Sequence, residues 1–507
     1  MTTMGIIDVT SLFKIQNKLV TYQTLCATIK KNKLQVDLDM LMLAYEYAKE
    51  AHRGQIRKTG EPYIHHCLAV ANYLAELRMD KSMILAGLLH DVPEDTERTL
   101  TDIKKEFGED VAWLVEGITK LGHLKYRGVQ RYVENLRRMF VSMAQDIRVV
   151  IIKLCDRIHN LSTLDALPPE KAQRIALESL EIYAPIANRL GMGEIKGVIE
   201  DLSFPYVFPK DYKLLMELVK KEYVTLEKVI VEMKDEVKKI LKENNIPYIS
   251  VHARQKHYLS LWRKLQRYDN NINKVYDLIA LRIIVDGSDL ECYQTLGVIH
   301  AHYTPLAGRL KDYIAQPKPN GYQSLHTTVF GAQNKIVEVQ IRTQLMHEED
   351  EFGIAAHWQY KERVKLSEID KQKYNWLQKI LEMQTQDPND EEYLASLKID
   401  IFQNYLFVFT PKGEVIELPE DSTPVDFAYA IHTEVGDHCE SAKVNDLHVP
   451  LNHILKNGDV VEIITNKTKW PTFDWLKFVK TTHARKSIKH YHQSKRSGFL
   501  KKLLGRG

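Results

Sequence analysis

The sequence predicts a multidomain chain of the α and α+β classes, with an all-helical domain, a mixed α/β domain and a small β-rich module. Its 507 residues are enough for about three domains of roughly 100 to 200 residues each. Apolar residues recur three and four positions apart through the N-terminal part, as in MLMLAYEYAKEAH, which indicates helices. Further along, IALRIIV and KIVEVQI are β-rich and lie among helical stretches, which is typical of an α/β domain.

Composition narrows the class of protein. With 44% hydrophobic and 27% charged residues, the chain resembles an ordinary soluble protein. No apolar run approaches the roughly 18 residues of a membrane span, and the N-terminus lacks the pattern of a secretory signal. The five cysteines are widely spaced and form no CxxC pair, which argues against a zinc ribbon or a disulfide framework. We therefore expect a cytoplasmic protein with no membrane partner.

Changes in residue composition and pattern along the chain predict its domain boundaries. A long charged helix with interleaved apolar residues connects the helical and α/β parts, and TQDPNDEEYLAS is an acidic linker. The hairpin YLFVFTPKGEVIELP, a helix and further short strands fit a β-grasp module. The predicted divisions are an N-terminal extension (1–36), a helical domain (37–205), a connector (206–245), a mixed α/β domain (246–362), a helix with the acidic linker (363–399), the β-grasp module (400–466) and a basic helical tail (467–507).

A set of His and Asp residues in the helical domain predicts a metal site. His90 and Asp91 follow the apolar run MILAGLL, so they should lie on a buried helix, where unpaired ionisable groups are costly. His66 upstream and Asp156, on the apolar helix VVIIKLCDRI, would complete a shell of two histidines and two aspartates. Such mixed ligands suit Mn²⁺ better than zinc or iron. A bound ion would lower the pKa of its water and supply a nucleophile.

Neighbouring residues extend this first site. Glu94 and Asp95, one helical turn beyond the ligands, are placed to orient that water or relay its proton. Residues that could contact the phosphates and sugar of a nucleotide are Arg57, Lys58, Asn160 and Thr163. The alternative is that all these residues are buried, satisfied polar groups that hold helices together.

The α/β domain carries a second candidate site, of a different chemistry. In VEVQIRT, strand alternation puts Glu338, Gln340 and Arg342 on one face and the aliphatic residues on the other. Asp277 precedes the strand LRIIV, and two carboxylates together with substrate phosphates are a usual way to hold Mg²⁺. Cationic groups able to clamp nucleotide phosphates are Arg254, Lys256, Lys264, Arg309, Lys311, Lys318 and His326.

Two further features of this domain bear on its function. Tyr322, in the turn-prone PKPNGYQS, could be an exposed stacking platform for a base. No GxxxxGK[ST] loop is present, so the domain is not a P-loop enzyme. The alternative is that the polar strand face and its cations form a solvated basic surface.

Both sets of motifs, in this order, resemble the long RelA/SpoT homologues, which make and hydrolyse the alarmone (p)ppGpp. The likeness covers about Leu43 to Lys489 and runs through RKTGEPYIHH, HDVPED, DRIHN, EIYAPIANRLG, GRLKDYIAQPKPNGYQSLHTT, VEVQIRT, GIAAHWQYKE, TPVDFAYAIHTEVG and LKNGDVVEI. It implies an HD-type hydrolase domain, a nucleotidyltransferase-like synthetase domain and a TGS-like β-grasp domain. The RLKD stretch is similar to the basic form of bifunctional members.

The resemblance also implies roles for individual residues. In the hydrolase, His66, His90, Asp91 and Asp156 would hold Mn²⁺, Glu94 and Asp95 would activate water, and Arg57, Asn160 and Thr163 would contact the nucleotide. In the synthetase, Asp277 and Glu338 would hold Mg²⁺, with Glu338 also a base toward the acceptor 3′-hydroxyl. Tyr322 would stack on guanine, and Arg254 and Lys256 would serve ATP. The implied substrates and products are ATP, GTP or GDP, and ppGpp or pppGpp.

The chain departs from the family pattern at four positions. Ser162 stands where an arginine is usual, Ala253 and Gln255 replace a glycine and a proline, and Asp350 replaces a small residue. The resemblance leaves three interpretations: a bifunctional enzyme, a member dominated by hydrolysis whose synthetase is weakened by the altered donor loop, or a non-catalytic regulator that binds the ribosome or tRNA. The sequence beyond Trp475 is rich in Lys and Arg and contains no acid, so it predicts either an RNA contact or a solvated basic helix.

Overall fold

The protein is described here by a computed structural model that covers residues 19–122, 142, 145–318, 320–353, 405–456 and 458–503. The chain divides into two compact units, Met1–Thr385 and Gln386–Gly507. Residues 1–18 of the predicted extension and the whole predicted helix and linker, 363–399, lie outside the described residues. No helix in the described part of the chain is both long and apolar enough to cross a membrane.

The N-terminal part of the first unit is helical, as the periodicity predicts. Its helices are α1 (Tyr22–Lys31), α2 (Leu38–Ala51), α3 (Ile64–Glu76), α4 (Lys81–Leu89), α5 (Val92–Asp95), α6 (Leu100–Phe107), α7 (Glu109–Gly122), α8 (Ile147–Ser162), α9 (Pro169–Glu178), α10 (Ala184–Arg189) and α11 (Gly193–Val207). A π-helical turn, Ser179–Tyr183, joins α9 to α10. Helices α3, α4 and α8 are buried along most of their length and form the centre of this part.

Helix α1 falls within the predicted extension and nevertheless packs on the helical domain. A capping box between Thr21 and Thr24 starts it. Leu25 and Ile29 are buried, and the Thr28 hydroxyl lies 2.8 Å from Asn72 Oδ1 on α3. The helical domain therefore begins before residue 37.

The second part of the first unit is an α/β layer on a mixed five-stranded sheet. Its strands are β1 (Tyr248–Gln255), β2 (Ile279–Val285), β3 (Lys311–Asp312), β4 (Leu325–Phe330) and β5 (Ile336–Thr343). Their order is β1-β2-β5-β4-β3, and β2 and β5 are the parallel pair. The helices are α12 (Pro209–Glu243), α13 (Tyr258–Gln266), α14 (Asp289–His302) and α15 (Gln344–Phe352).

The predicted connector is the 35-residue helix α12, which also packs against the five-stranded sheet. Its apolar stripe, which includes Leu215, Val219, Met233 and Val237, is buried in the same core as the aliphatic face of the sheet. That core also contains Val337, so the predicted alternation along β5 is confirmed. Helix α12 therefore belongs to the α/β layer.

The second unit has the predicted β-grasp content. Strands β6 (Tyr405–Phe409) and β7 (Val415–Pro419) form the hairpin, and β8 (Cys439–Val444), β9 (Leu447–Val449) and β10 (Val461–Thr465) form a second sheet in the order β10-β8-β9. The predicted single helix is split at His432 into α16 (Pro424–Ile431) and α17 (Thr433–Asp437). The basic tail contains helix α18 (Thr482–Leu503).

Candidate active sites

Three helices bring the predicted metal ligands together. His66 comes from α3, His90 and Asp91 follow α4 directly, and Asp156 lies on α8. His66, His90 and Asp156 are only 1%, 0% and 4% exposed, and one ligand atom from each lies within 4.8 Å of the others. Asp91 completes the group, since its Oδ2 lies 3.2 Å from His66 Nε2 and 3.1 Å from His90 Nε2.

The donor set fits a divalent cation. His90 Nδ1–H donates to the Gly87 carbonyl at 2.9 Å, which turns the Nε2 lone pair toward the carboxylates. Among the described residues, this buried Nε2 meets Asp91 Oδ2 at 3.1 Å but not in the geometry of a hydrogen bond. Although burial opposes the charged imidazole, Asp91 and Asp156 raise the pKa of His90 to about 9. The cluster therefore favours positive charge at its centre, as a cation site does.

A polar shell holds these ligands in place. Lys153 Nζ lies 2.8 Å from Asp156 Oδ2, and the Asn160 amide donates to Asp156 Oδ1 at 2.5 Å. Arg57 donates to Asn160 Oδ1 at 2.7 Å and lies 2.7 Å from His159 Nδ1. Burial, followed by the charges of His66 and Arg57, lowers the pKa of His159 well below its usual range. His159 is therefore a neutral acceptor for Arg57.

The other predicted residues of this site have different surroundings. Glu94 and Asp95 are exposed on α5, and Asp95 Oδ2 lies 3.0 Å from the Tyr63 hydroxyl. The same hydroxyl lies 2.9 Å from Asp91 Oδ2, so its one hydrogen serves one carboxylate at a time. Lys58 is exposed, and Thr163 Oγ1 donates to backbone carbonyls of its own helix, at His159 and Asn160. Thr163 therefore needs to release those bonds to contact a ligand through its hydrogen.

The second site is a cavity of about 460 Å³ over the polar face of the sheet. Its wall comes from the strands β1 to β5, the helices α13 and α15 and the loop before β4, together with α10 and α11 from the helical part. The predicted residues that line it are Arg254, Lys256, Lys264, Asp277, Lys311, Lys318, Tyr322, His326 and Glu338. Arg309 is exposed instead, with its guanidinium 5.6 Å from the Tyr276 ring centroid, and does not line this cavity.

Each of the two carboxylates predicted for the cavity, Asp277 and Glu338, is held by its neighbours. Lys256 and Lys264 reach the two oxygens of Asp277 at 2.6 and 2.7 Å. Although burial opposes it, those ammonium groups keep the pKa of Asp277 below its usual value. Glu338 Oε1 accepts from the Gln340 amide at 2.9 Å and lies 3.2 Å from His326 Nδ1. Each carboxylate oxygen has lone pairs left for a cation.

A hydrogen-bonded chain links the aromatic ring of Tyr322 to Glu338. Burial lowers the pKa of His326, so the imidazole is neutral, with Nδ1–H toward Glu338 and Nε2 accepting from the Tyr322 hydroxyl at 2.6 Å. The prediction of an exposed platform needs correction, because Tyr322 is half-buried. Lys318 Nζ lies 4.8 Å from its ring centroid and Arg342 Cζ 5.8 Å. A stacked base would share the ring with these cations or displace Lys318.

Beneath the cavity lies an ionic cluster that the sequence analysis missed. Arg342 is fully buried, and its Nη1 lies 2.5 Å from Asp350 Oδ2. Arg282 pairs with Glu351 at 2.8 Å. The signal was present in the sequence, since an arginine on a buried strand needs a carboxylate partner and α15 begins directly after β5.

Helix α11 lies mostly within the predicted helical domain, but it also forms one wall of the second cavity. The residues that face the cavity are Gly193, Lys196, Gly197 and Glu200. His257, at the start of α13, binds this helix: its Nδ1 lies 2.8 Å from Asp201 Oδ2 and its Nε2 3.5 Å from Glu194 Oε2. The second site is therefore built from both predicted domains.

Comparison with known families matches three segments of the chain. Residues 44–193 match the HD domain, residues 253–365 match a region found in RelA / SpoT proteins, and residues 406–465 match the TGS domain. The first segment contains the His/Asp cluster, and the second contains the predicted carboxylates and cations of the second cavity.

Curated relatives align over most of the chain. The guanosine-3′,5′-bis(diphosphate) 3′-pyrophosphohydrolase of Aquifex aeolicus is 49% identical over 88% of this chain and 64% of its own length. The GTP pyrophosphokinase of Myxococcus xanthus is 45% identical over 92% of this chain and 62% of its own length. The bifunctional (p)ppGpp synthase/hydrolase SpoT of Escherichia coli is 45% identical, over 89% and 64%. The chain thus spans less than two thirds of each of these relatives.

Proposed function

Since the chain contains an HD domain, a RelA/SpoT region and a TGS domain and so belongs to the RelA/SpoT homologue family, we propose that it both synthesises and hydrolyses (p)ppGpp. The synthetase transfers pyrophosphate from ATP to the 3′-hydroxyl of GTP or GDP. The hydrolase removes that group as pyrophosphate. Both reactions belong to the cytoplasm, where these nucleotides are available.

The observation that carries the proposal is the pair of polar centres in one compact unit. The first is a buried His/Asp cluster on three helices, and the second is a cation-lined cavity with two carboxylates on a sheet. A non-catalytic regulator would have no need of either set, because buried ionisable groups without a task cost stability. We therefore favour an enzyme over the non-catalytic regulator, and the presence of Arg254 in the second cavity favours a working donor site over a weakened one.

In the hydrolase, His66, His90, Asp91 and Asp156 hold the cation, which we propose to be Mn²⁺ because of the mixed imidazole and carboxylate donors. When bound, the ion lowers the pKa of a coordinated water to supply the nucleophile. Asp95, close to the Tyr63 hydroxyl, and Glu94 are the residues that we propose take the proton of that water. Arg57 and Asn160 orient the ligands and face the nucleotide.

In the synthetase, Asp277 and Glu338 hold Mg²⁺, which supplies charge neutralisation for the transferring phosphates. Arg254, Lys256 and Lys264 bind the phosphates of the ATP donor. When ATP enters, Lys256 and Lys264 break their ion pairs with Asp277 and pair with those phosphates instead. The pKa of Glu338 lies well below its usual value because its pairing with His326 and Gln340 outweighs burial. Glu338 is thus a better cation ligand than proton acceptor until anionic phosphates raise its pKa.

Parallel assays of the two reactions test this proposal. Labelled ATP with GDP and Mg²⁺ reports synthesis, and labelled ppGpp with Mn²⁺ reports hydrolysis. We expect His90→Ala to abolish hydrolysis and leave synthesis, and Glu338→Ala to do the reverse, because the two sets of residues lie on different elements. Undiminished hydrolysis by metal-free enzyme would refute the hydrolase assignment. Loss of both activities in a folded single variant would refute the two-site model.

We also propose a weak RNA contact through the second unit. His432 is exposed at the junction of α16 and α17, and α18 is basic along its sequence. Near them Trp470, 46% exposed, stacks on Tyr491 at 5.1 Å between ring centroids. Exposed aromatic rings beside Lys and Arg are typical of surfaces that bind single-stranded nucleic acid. Ribosomal RNA and the end of a tRNA are the candidate partners.

A further inference from the structure

We infer that Asp350 recognises the base of the acceptor nucleotide by accepting hydrogen bonds from the N1–H and the 2-amino group of guanine. This inference rests on the proposed synthetase function and deepens it, because it assigns base selectivity to one side chain. Asp350 lies on α15 and lines the second cavity, with its side chain 12% exposed.

The first observation is the position of Asp350 beside the aromatic wall. Arg342 lies between the two groups, since its Cζ is 5.8 Å from the Tyr322 ring centroid and its Nη1 is 2.5 Å from Asp350 Oδ2. Tyr322 and Asp350 line the same cavity, so we take a base against the Tyr322 ring to present one of its edges to the Asp350 carboxylate. The ring limits where the base lies, and the carboxylate limits which edge it presents.

The second observation is the charge of the cavity. Cations dominate its lining, as phosphates require, and carboxylates repel phosphates. Asp277 and Glu338 have a use as cation ligands, and Glu200 is paired with Arg263 at 2.7 Å. Asp350 is not assigned to the cation and pairs with Arg342 through Oδ2 alone, so its Oδ1 marks a part of the cavity that does not suit phosphates. That part is suited to the uncharged base.

The third observation is that one oxygen of Asp350 is fixed and the other is open. Arg342 holds Oδ2, whereas Oδ1 accepts no hydrogen bond from any residue that the structure describes. Gly193 faces Oδ1, and a Cβ at that position would lie only 3.3 Å from it. Each carboxylate oxygen has two acceptor sites, so Asp350 can keep Arg342 and still accept from a ligand.

Base chemistry then selects guanine. Its Watson–Crick edge carries two adjacent donors, N1–H and the 2-amino group, which match the acceptors of one carboxylate. Adenine offers an acceptor at N1 and mismatches. Hypoxanthine lacks the 2-amino group, and xanthine has a carbonyl oxygen in its place. These analogues therefore test the contact one group at a time.

Equilibrium binding to the full chain tests the inference without requiring catalysis. Calorimetric titration with GDP, IDP and XDP in the presence of Mg²⁺ should show GDP binding roughly tenfold or more tighter than IDP, as expected for loss of one hydrogen bond to a charged acceptor. Asp350→Ala should reduce that ratio to about two or less. Asp350→Asn presents one donor and one acceptor, so it should bind XDP more tightly than GDP.

Two further variants keep the test decisive. Gly193→Ala leaves the carboxylate and its Arg342 partner in place but crowds Oδ1, so it should lower the GDP-to-IDP ratio even if Asp350 variants fold poorly. Asp289→Asn removes an exposed carboxylate outside the cavity and should change no ratio. An unchanged GDP-to-IDP ratio in folded Asp350→Ala or in Gly193→Ala would overturn the inference.

A transfer assay in parallel separates this inference from the proposed function. Selective GDP binding that depends on Asp350, without pyrophosphate transfer from ATP, would refute the synthetase proposal and support the assignment of Asp350. Transfer to GDP and IDP with equal affinity, unaffected by Asp350→Ala, would refute the assignment of Asp350 and support the synthetase.

Discussion

At the scale of single residues, Asn160 links a predicted metal ligand of the first site, Asp156, to a predicted nucleotide contact, Arg57. Its amide nitrogen donates to Asp156, and its amide oxygen accepts from Arg57. One side chain therefore fixes both a cation ligand and a cationic group that can meet a phosphate. Partners of metal ligands usually affect metal affinity or activity about 10- to 100-fold when removed.

We predict that Asn160→Leu lowers affinity for Mn²⁺ and the rate of ppGpp hydrolysis by about 10- to 100-fold while synthesis continues. Leucine keeps the volume but frees Asp156 and Arg57 to rotate. Titration with Mn²⁺ and the two activity assays measure the effect. Ser162→Ala, on the same helix, is the matched control, because among the described residues the Ser162 hydroxyl bonds to the His159 carbonyl alone. Equal metal affinity of Asn160→Leu and the parent chain would contradict this role.

Some contacts between residues of the two sites could be predicted from the sequence, and others could not. His66, His90 and Asp156 could be predicted to meet because each interrupts an apolar helix, where an ionisable group needs a partner. Tyr63 could not, since it lies in polar sequence and gains its importance from Asp91 and Asp95, which belong to other parts of the chain. A contact between elements leaves no periodic signal in either one.

At the scale of elements, helix α11 is shared by the two halves of the first unit. It packs on α8 and α9 of the helical part and on α13 and α15 of the α/β layer. Local periodicity predicts the helix correctly but not its second interface, because a helix buried on two sides has no polar face to mark a boundary. The close approach of α11 to α13 depends on Gly197, where a Cβ would lie 2.1 Å from the His257 ring.

We predict that Gly197→Ala destabilises the first unit by about 1 to 3 kcal/mol and weakens synthesis, because the methyl group forces His257 out of its place. Urea denaturation measures the stability. Gly297→Ala, in α14, is the matched control: a Cβ there has nothing within 4 Å, so the exchange should be neutral or stabilise the helix by up to about 1 kcal/mol. Equal stability of the two variants would show that the His257 ring can move away from the added methyl group at little cost in free energy.

The His257 imidazole should also make stability depend on pH. Burial opposes its charge, but Asp201 and Glu194 raise its pKa to about 10, above the value of about 6.5 in an unfolded chain. Its stabilising contribution is then complete below about pH 6.5 and is lost progressively as the pH rises toward 10.

We predict that His257→Gln is less stable than the parent chain near pH 6.5 and that this difference shrinks as the pH rises to 10. Urea midpoints of both proteins across that range measure it. The exposed His302 supplies the control, since His302→Gln removes an imidazole of the same unit without those carboxylates. A difference that stays constant with pH would mean that His257 is neutral in the folded protein.

At the scale of the whole molecule, the two candidate sites share one compact unit. Arg78, just beyond the helix that carries His66, lies 3.4 Å from Glu348 and 5.2 Å from the Phe352 ring centroid on α15. Helix α15 in turn carries Asp350 into the second cavity. A direct packing route therefore exists between the two sites, which bears on the proposed function because two opposed reactions that ran together would only consume ATP.

The second unit offers a separate means of control, and its RNA contact is the last prediction. If α18 and the exposed rings bind RNA, the whole chain should bind tRNA weakly, and the logarithm of the binding constant should fall linearly with the logarithm of salt concentration. A version that ends near Asp400 should lose this binding and keep both activities. Lys489→Glu should weaken binding more than Lys477→Glu, because Lys477 is already paired with Asp474 at 2.6 Å. Equal binding by the whole and shortened chains, or no binding at low salt, would exclude an RNA role for this unit.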